Sequence, residues 1–379
     1  MDIAREMMDE LVEGEVVNAE IYPPFYIASA GAHSINMVNK LRKFHWRNRK
    51  PMDLRVHPIL VAPPGFSKSF FIHQMMAMPY GLLTKTGIEL IYQQSTTAAG
   101  WIGTAARTRD GEVSDSIGEA QEHKHAIFGC EEFQGLFTKS STEMIDALLQ
   151  TLDDGHLVKR VAAKRLDYQT YITLFGGAQV EHFNLSRGLF RRLTAMVFIP
   201  TKSDQEALFN AYFKGGGRRY NARRLKKIRI GYKQRIRSMQ YIKEITISDK
   251  FESWARRKRI IHYELPVYER LIIGYNIMRK PANSSGVLEC TIDRTLLNMI
   301  QNQYKWRKML KKDLRENMII QRVAEEEEMK VGELFLQMAD LGLELDKARP
   351  VVDGMFRRGL LFTTEKGKIR VNIGERETT

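Results

Sequence analysis

Apolar and polar positions follow two different periods along this chain. Continuous apolar runs at 59–62, 126–130, 171–175 and 195–199 have the length and content of buried strands. Between them lie segments with a helical period. Residues 69–78 form one. Residues 141–152 form another, with Met144, Ile145, Leu148, Leu149 and Leu152 on one face. Strands alternating with helices predict an α/β fold, a mostly parallel sheet covered by helices.

The flanks read differently. Residues 1–50 predict a short helical segment ending in a basic stretch, Leu41 to Lys50. Beyond Lys202 the chain turns helical and basic, with helices expected at 266–280 and 292–310 around a loop at 281–286. The acidic run Glu325 to Glu328 reads as a solvated helix face or a linker. The last segment has the order helix (331–341), helix (346–358), then strands at 360–364 and 368–371 around Lys366-Gly367. That is the order of a winged helix; a helical cap with a hairpin is the other reading. The expected division is 1–50, 51–202, 203–324 and 325–379.

Charge narrows the class of partner. The net charge is +14, and residues 214 to 243 hold twelve Lys/Arg with no Asp/Glu. Such a balance suits a polyanion, DNA above all, with Arg223, Arg224, Lys226 and Lys227 as candidate contacts. A solvated face or a surface for an acidic protein needs the same residues. Two cysteines, Cys130 and Cys290, exclude a disulfide scaffold and a cysteine-rich zinc domain and suit a reducing compartment. No apolar run has the length of a membrane span, and the acidic start MDIAREMMDELVEGE does not suit a signal peptide. A cytoplasmic or nucleoid-associated protein is expected.

Candidate chemistry begins where the first strand ends. Pro64-Gly65-Phe66-Ser67-Lys68-Ser69 lies between an apolar strand and a helix, the layout of a P-loop. Such a loop turns backbone N–H groups toward phosphate, places Lys68 on the outer phosphates and offers the Ser69 hydroxyl to Mg²⁺. Ala62 and Ser67 stand where glycines are usual, and a proline-rich turn before an ordinary helix remains the alternative. A second acidic site is expected at the end of a buried strand. Glu131 and Glu132 meet that requirement, Glu131 for Mg²⁺ and Glu132 for activating water. Gln179 ends a later strand and could orient that water. Arg187 is the candidate to reach a neighbouring subunit's phosphate, with Arg191 and Arg192 as rivals. Between Asp153 and Thr170 the chain reads as a β-hairpin with a basic tip. Lys159, Arg160, Lys164 and Arg165 would grip a phosphate backbone there without reading sequence.

In this order the parts resemble the AAA+ core of MCM-type replicative helicases, within the AAA+ group that carries a hairpin before the sensor-1 strand. The likeness rests on Pro64 to Ser69, on Ser95 to Ala105 with Asp110-Gly111-Glu112, on Glu131-Glu132-Phe133, on Leu149 to Arg165, and on Leu185-Ser186-Arg187. It covers residues 55 to 200 well and 260 to 305 faintly. It implies a P-loop NTPase core, a helical lid and a C-terminal winged helix. It implies ATP and Mg²⁺ as cofactors, a hexameric ring of identical subunits, DNA as substrate, and replication proteins as partners. Arg270 matches the sensor-2 arginine. The chain departs from the family in Gln179 for an asparagine, Glu131 for an aspartate, and the absence of a large N-terminal half. A mobile element or virus is the kind of source these departures suggest. The expected function is a ring-forming, ATP-driven DNA motor. A replication initiator, loader or remodelling ATPase, and a catalytically weak DNA-binding scaffold, are the alternatives.

Overall fold

A computed structural model describes residues 1–39, 43–44, 52–66, 68–92, 97–107, 113–133, 142–161, 164–180, 187–213, 221–311 and 313–372. Five strands build the central sheet: His57–Val61 (β1), Glu89–Tyr92 (β2), Ala126–Cys130 (β3), Thr173–Ala178 (β4) and Leu193–Val197 (β5). They lie in the order β5–β1–β4–β3–β2, and every pairing is parallel. All residues of β1, β3, β4 and β5 are buried, which explains why they read as unbroken apolar runs. Edge strand β2 is half exposed and does not stand out in the sequence.

Both faces of the sheet are covered. Phe175 of β4 and Gly129 of β3 are register partners and share a face. Tyr26 meets Phe175 edge-on at 5.0 Å, and a Cβ on Gly129 would touch Ile72 and Met76. Helices Pro23–Val38 and Lys68–Met76 therefore cover this face. Phe128 points the other way, where Trp101 meets it at 5.2 Å and donates Nε1–H to Thr151 at 3.2 Å. Helices Ala98–Ile102 and Thr142–Asp153 cover that face.

Helix Pro23–Val38 is buried nearly all round, with 14 buried residues among its 16. Several of its polar side chains find partners inside, while the Tyr26 hydroxyl and Asn36 Oδ1 have none among the described residues. Ser29 and Ser34 donate to the Val56 and Ala30 carbonyls. His33 lies 2.9 Å from both Thr173 Oγ1 and the His125 carbonyl, and burial pushes its pKa down to about 3, so the ring is neutral. The helix crosses Leu265–Arg279 at two glycines. A Cβ on Gly31 would sit 2.2 Å from the Gly274 oxygen, and one on Gly274 would sit 2.1 Å from the Ala28 oxygen. Residues 1–50 and 203–324, expected as separate regions, thus contribute helices to the same core as the sheet.

The C-terminal order appears as expected: helices Val331–Asp340 and Leu345–Arg357, then an antiparallel pair, Leu361–Thr363 with Ile369–Val371. Helix Leu314–Glu325 packs with them, and Met329 bridges to Ile369. This unit rests on the carboxyl end of β5, where Arg322 donates to the Pro200 carbonyl at 2.9 Å and Gln321 to the Ile199 carbonyl at 3.2 Å. The acidic run before it is not free. Glu325 pairs with Arg322 at 3.0 Å, Glu326 with Lys202, and Glu328 with Lys368 at 3.0 Å. The loop expected at 281–286 is followed by a short strand, Val287–Cys290, parallel to Glu244–Ile247. Among the described residues no helix is long and apolar enough to cross a membrane.

The glycine crossing yields a direct test. Gly274→Ala should destabilise the chain by about 1–3 kcal/mol, because backbone rather than a pliable side chain meets the new methyl. Gly332→Ala, in the first turn of helix Val331–Asp340 with open space around the new methyl, should be neutral or stabilising by up to about 1 kcal/mol. Urea midpoints for the two variants measure the contrast.

Candidate functional site

The carboxyl ends of β1, β4 and β3 lie side by side, and the chain leaves each of them through residues singled out above. After β1, Ala62 donates its N–H to the Ala178 carbonyl at 3.0 Å, keeping the loop tied to β4 as it departs. Pro64 and Gly65 make the turn. Gly65 has φ +76°, and a Cβ there would meet nothing within 4 Å, so it supplies conformation and leaves an open face. Ser67 lies outside the described residues. Phe66 turns toward β5, with its ring 6.3 Å from Phe198.

Lys68 opens the helix and is buried, at 7% exposure. Its ammonium folds back and donates to the Ala62 carbonyl at 3.2 Å and the Pro63 carbonyl at 2.9 Å. Burial lowers its pKa from the ordinary lysine value, and the charge of Glu132 opposes that shift. Ser69 follows, half-buried.

The acid pair sits on a turn anchored from below. Phe133 is fully buried and donates its N–H to the Gly177 carbonyl at 2.7 Å. Gly177 fits between the acid turn and Lys68: a Cβ there would lie 2.6 Å from the Glu131 oxygen and 3.1 Å from Lys68 Cβ. Gln179 Nε2 lies 3.3 and 3.4 Å from the two carboxylate oxygens of Glu132, long hydrogen bonds that hold amide and acid together. Glu131 turns away from Glu132 and pairs with His73 Nε2 at 2.7 Å.

His73 was not singled out from the sequence. It stands four residues after Ser69 and therefore on the same helical face, a spacing that is visible in the sequence once Ser69 is of interest. Tyr92, at the end of β2, completes this side. Its ring is 5.3 Å from His73, and burial, then the charge of Glu131, pushes its pKa up to about 12.

The donor set suits a nucleotide with its metal. A buried ammonium, a hydroxyl-bearing helix start and two carboxylates converge on a cradle kept open by Gly65 and Gly177. Among the described residues no group of three or more His, Cys, Asp or Glu could hold a metal alone. A Mg²⁺ ion shared between one or two protein oxygens and the phosphates fits that set.

Several expected residues lie elsewhere. Arg270 is not at the loop. Its charge acts on Asp53, which pairs with Arg55 at 2.6 Å, and Arg55 donates to the Ile172 carbonyl at 2.8 Å, just before β4 begins. Arg270 thus serves the opposite edge of the sheet, because helix Leu265–Arg279 is held there by its crossing with Pro23–Val38. Arg187 opens a short helix, Arg187–Arg192, while Leu185 and Ser186 lie outside the described residues. Both rivals are engaged within the chain: Arg191 lies 4.7 Å over the Tyr263 ring, and Arg192 donates to Asp153 at 2.6 Å.

The expected hairpin is present, His156–Val161 against Lys164–Gln169, with Arg160 opposite Arg165. Arg160 and Arg165 are exposed, Lys159 is half-buried, and Arg165 pairs with Asp167 at 2.8 Å. Lys164 lies at the tip end of the second strand. A second hairpin, Gly103–Arg107 with Val113–Ile117, touches the first; Asp110 to Glu112 lie outside the described residues.

The basic segment divides. Arg224 is embraced by the acidic N-terminal helix, at 3.4 Å from Glu6, 3.1 Å from Asp9 and 2.6 Å from Glu13. Lys227 pairs with Glu6 at 2.8 Å. These two, expected on nucleic acid, hold one helix to another. Arg223 and Lys226 are exposed.

Gly177→Ala should lower stability by about 1–3 kcal/mol, since the methyl meets the Glu131 backbone. The same methyl should separate Lys68 from the acid turn, so nucleotide affinity, read with a fluorescent ATP analogue, should fall with it. No known family model matches this chain, and no curated protein is similar to it.

Proposed function

We propose that the chain is a P-loop ATPase of the AAA+ kind, resembling the MCM helicase core and acting as a ring-forming motor on DNA. The observation that carries this reading is the convergence of Lys68, Glu131, Glu132 and Gln179 on the carboxyl ends of three adjacent parallel strands. Ligands of open α/β sheets bind at that edge.

In this reading Lys68 would leave its two loop carbonyls for the outer phosphates of ATP, and Ser69 and Glu131 would hold the Mg²⁺. The metal, when bound, would supply charge stabilisation to the phosphates. Glu132, oriented by Gln179, takes a proton from the attacking water. Arg187 acts on the phosphate of the neighbouring subunit. The hairpin with Arg160, Lys164 and Arg165 grips the DNA backbone, and the C-terminal helices and hairpin serve as a winged helix.

One observation favours the catalytically weak scaffold instead. Glu131 is held by His73, a turn below Ser69, so the metal position is reached only after that pair opens.

Phosphate release from ATP, with and without single-stranded DNA, decides between them. The motor reading expects DNA-stimulated turnover, abolished in Lys68→Ala. It also expects Glu132→Gln to lower turnover by about 10²–10⁴-fold while ATP stays bound. DNA binding without phosphate release in the unaltered chain would establish the scaffold. Strand displacement on a forked duplex then separates a motor from a loader or initiator.

A further inference from the structure

Helix Ala222–Met239 carries eight Lys/Arg and no carboxylate, and the fold sorts those cations into two sets. Four are used up inside the molecule. Arg224 and Lys227 pair with the acidic N-terminal helix. Arg229 donates to the Gly81 carbonyl at 2.9 Å, and Arg235, buried, donates to the Ile277 and Met1 carbonyls at 2.7 and 2.9 Å. The other four, Arg223, Lys226, Lys233 and Arg237, are all exposed, and none pairs with a carboxylate among the described residues.

Their positions are not scattered. At 3.6 residues per turn they fall within about 80° of the helix circumference, and they extend along about 21 Å of its axis. The only large apolar residue among them is Ile230, 48% exposed. Asn39 donates to the Met239 and Ile242 carbonyls at 3.0 and 2.9 Å, fixing the end of the helix at the amino edge of the sheet. The basic hairpin leaves from that same edge, where Gly155 and Thr170 lie against Arg55.

We propose that Arg223, Lys226, Lys233 and Arg237 form a sequence-independent docking surface for the phosphate backbone of double-stranded DNA. The inference rests on the nucleic-acid part of the proposed function and not on ATP hydrolysis. A straight row of about 21 Å matches about six base pairs of duplex at 3.4 Å each. Single strands are held by stacking bases on aromatic rings, and this face offers none between its cations. A protein partner needs an apolar centre, and Ile230 alone does not supply one.

The test is binding of the full chain to a mixed-sequence duplex without nucleotide, read by fluorescence anisotropy from 50 to 200 mM KCl. The variant is Arg223→Gln/Lys226→Gln/Lys233→Gln/Arg237→Gln. Four lost phosphate contacts should reduce the slope of log K against log salt by about 3–4, with an affinity loss of more than about ten-fold at the lowest salt. The urea midpoint should stay at the unaltered value. Arg224→Gln should do the reverse, lowering the midpoint and leaving the slope unchanged. An unchanged slope in the four-fold variant overturns the proposal. So does polyglutamate binding as tight as duplex binding, which would make an acidic protein the partner. A larger loss for single strands than for duplex overturns it as well. Because no nucleotide is present, these outcomes hold whether or not the chain hydrolyses ATP.

Discussion

The backbone contact between Gly31 and Gly274 is the constraint on which the other placements depend. Two helices can bury their backbones against each other only where neither carries a side chain at the crossing. That closeness lets helix Pro23–Val38 lie between the sheet and Leu265–Arg279 with both sides covered. A helix so enclosed must find partners for its polar groups inside the molecule, and Ser29, His33, Ser34 and the Asn36 amide do so, several of them through contacts that also locate the strands. Ser29 reaches the residue before β1, His33 spans the start of β4 and the turn before β3, and Tyr22 donates to the Val197 carbonyl at 3.3 Å. One buried helix thus sets the relative positions of β1, β3, β4 and β5. The candidate site at their carboxyl ends inherits its geometry from that helix.

Charge works on two scales in this molecule. The N-terminal helix is acidic, and it lies against the most basic helix of the chain. Glu10, nearly fully buried beside Arg224, has its pKa raised because burial outweighs the nearby cation. Its backbone-bonded oxygen caps the basic helix, accepting the Asn221 N–H at 2.6 Å. Four of the eight cations of helix Ala222–Met239 are therefore structural, and the other four are left on one outward face. Composition alone cannot separate these two uses, since a paired arginine and a free one count equally.

What was legible in the sequence is what short-range pattern encodes. β1 and β3 were readable because burial on both faces makes an apolar run. The turn after β1 was readable from Pro64-Gly65, and the C-terminal helices and hairpin from their spacing and from Gly359 and Gly367. Long-range pairing was not readable. The edge strand β2 is half exposed and lacks the run. Arg270 sits in a helix whose direction is set by a crossing partner more than 200 residues earlier in the chain, so its motif-like surroundings did not reveal which end of the sheet it serves. Arg224 and Lys227 looked like their neighbours Arg223 and Lys226, and only the position of the acidic helix distinguishes them. Glu131 and Glu132 were found as a pair, yet their separate partners, His73 and Gln179, come from different elements.

Those separate partners bear on how the site would respond to a ligand. Lys68 is bound to two carbonyls of its own loop, and Glu131 to His73 of the following helix. A phosphate entering the cradle exchanges these contacts for new ones, so the net gain is a difference and not a sum. For Lys68 the exchange favours the anion, because a buried ammonium gains more from a charged oxygen than from a carbonyl dipole. For Glu131 it runs against an existing 2.7 Å contact with His73. The C-terminal unit adds a third link at the same place: a Cβ on Gly342 would lie 2.6 Å from the Pro64 ring, so its turn rests on the loop between β1 and helix Lys68–Met76. Any shift of Pro64 on binding must be accommodated at Gly342. The loop, the acid turn and the C-terminal unit are in mechanical contact before a ligand arrives, and a change at one of them reaches the other two through packed atoms.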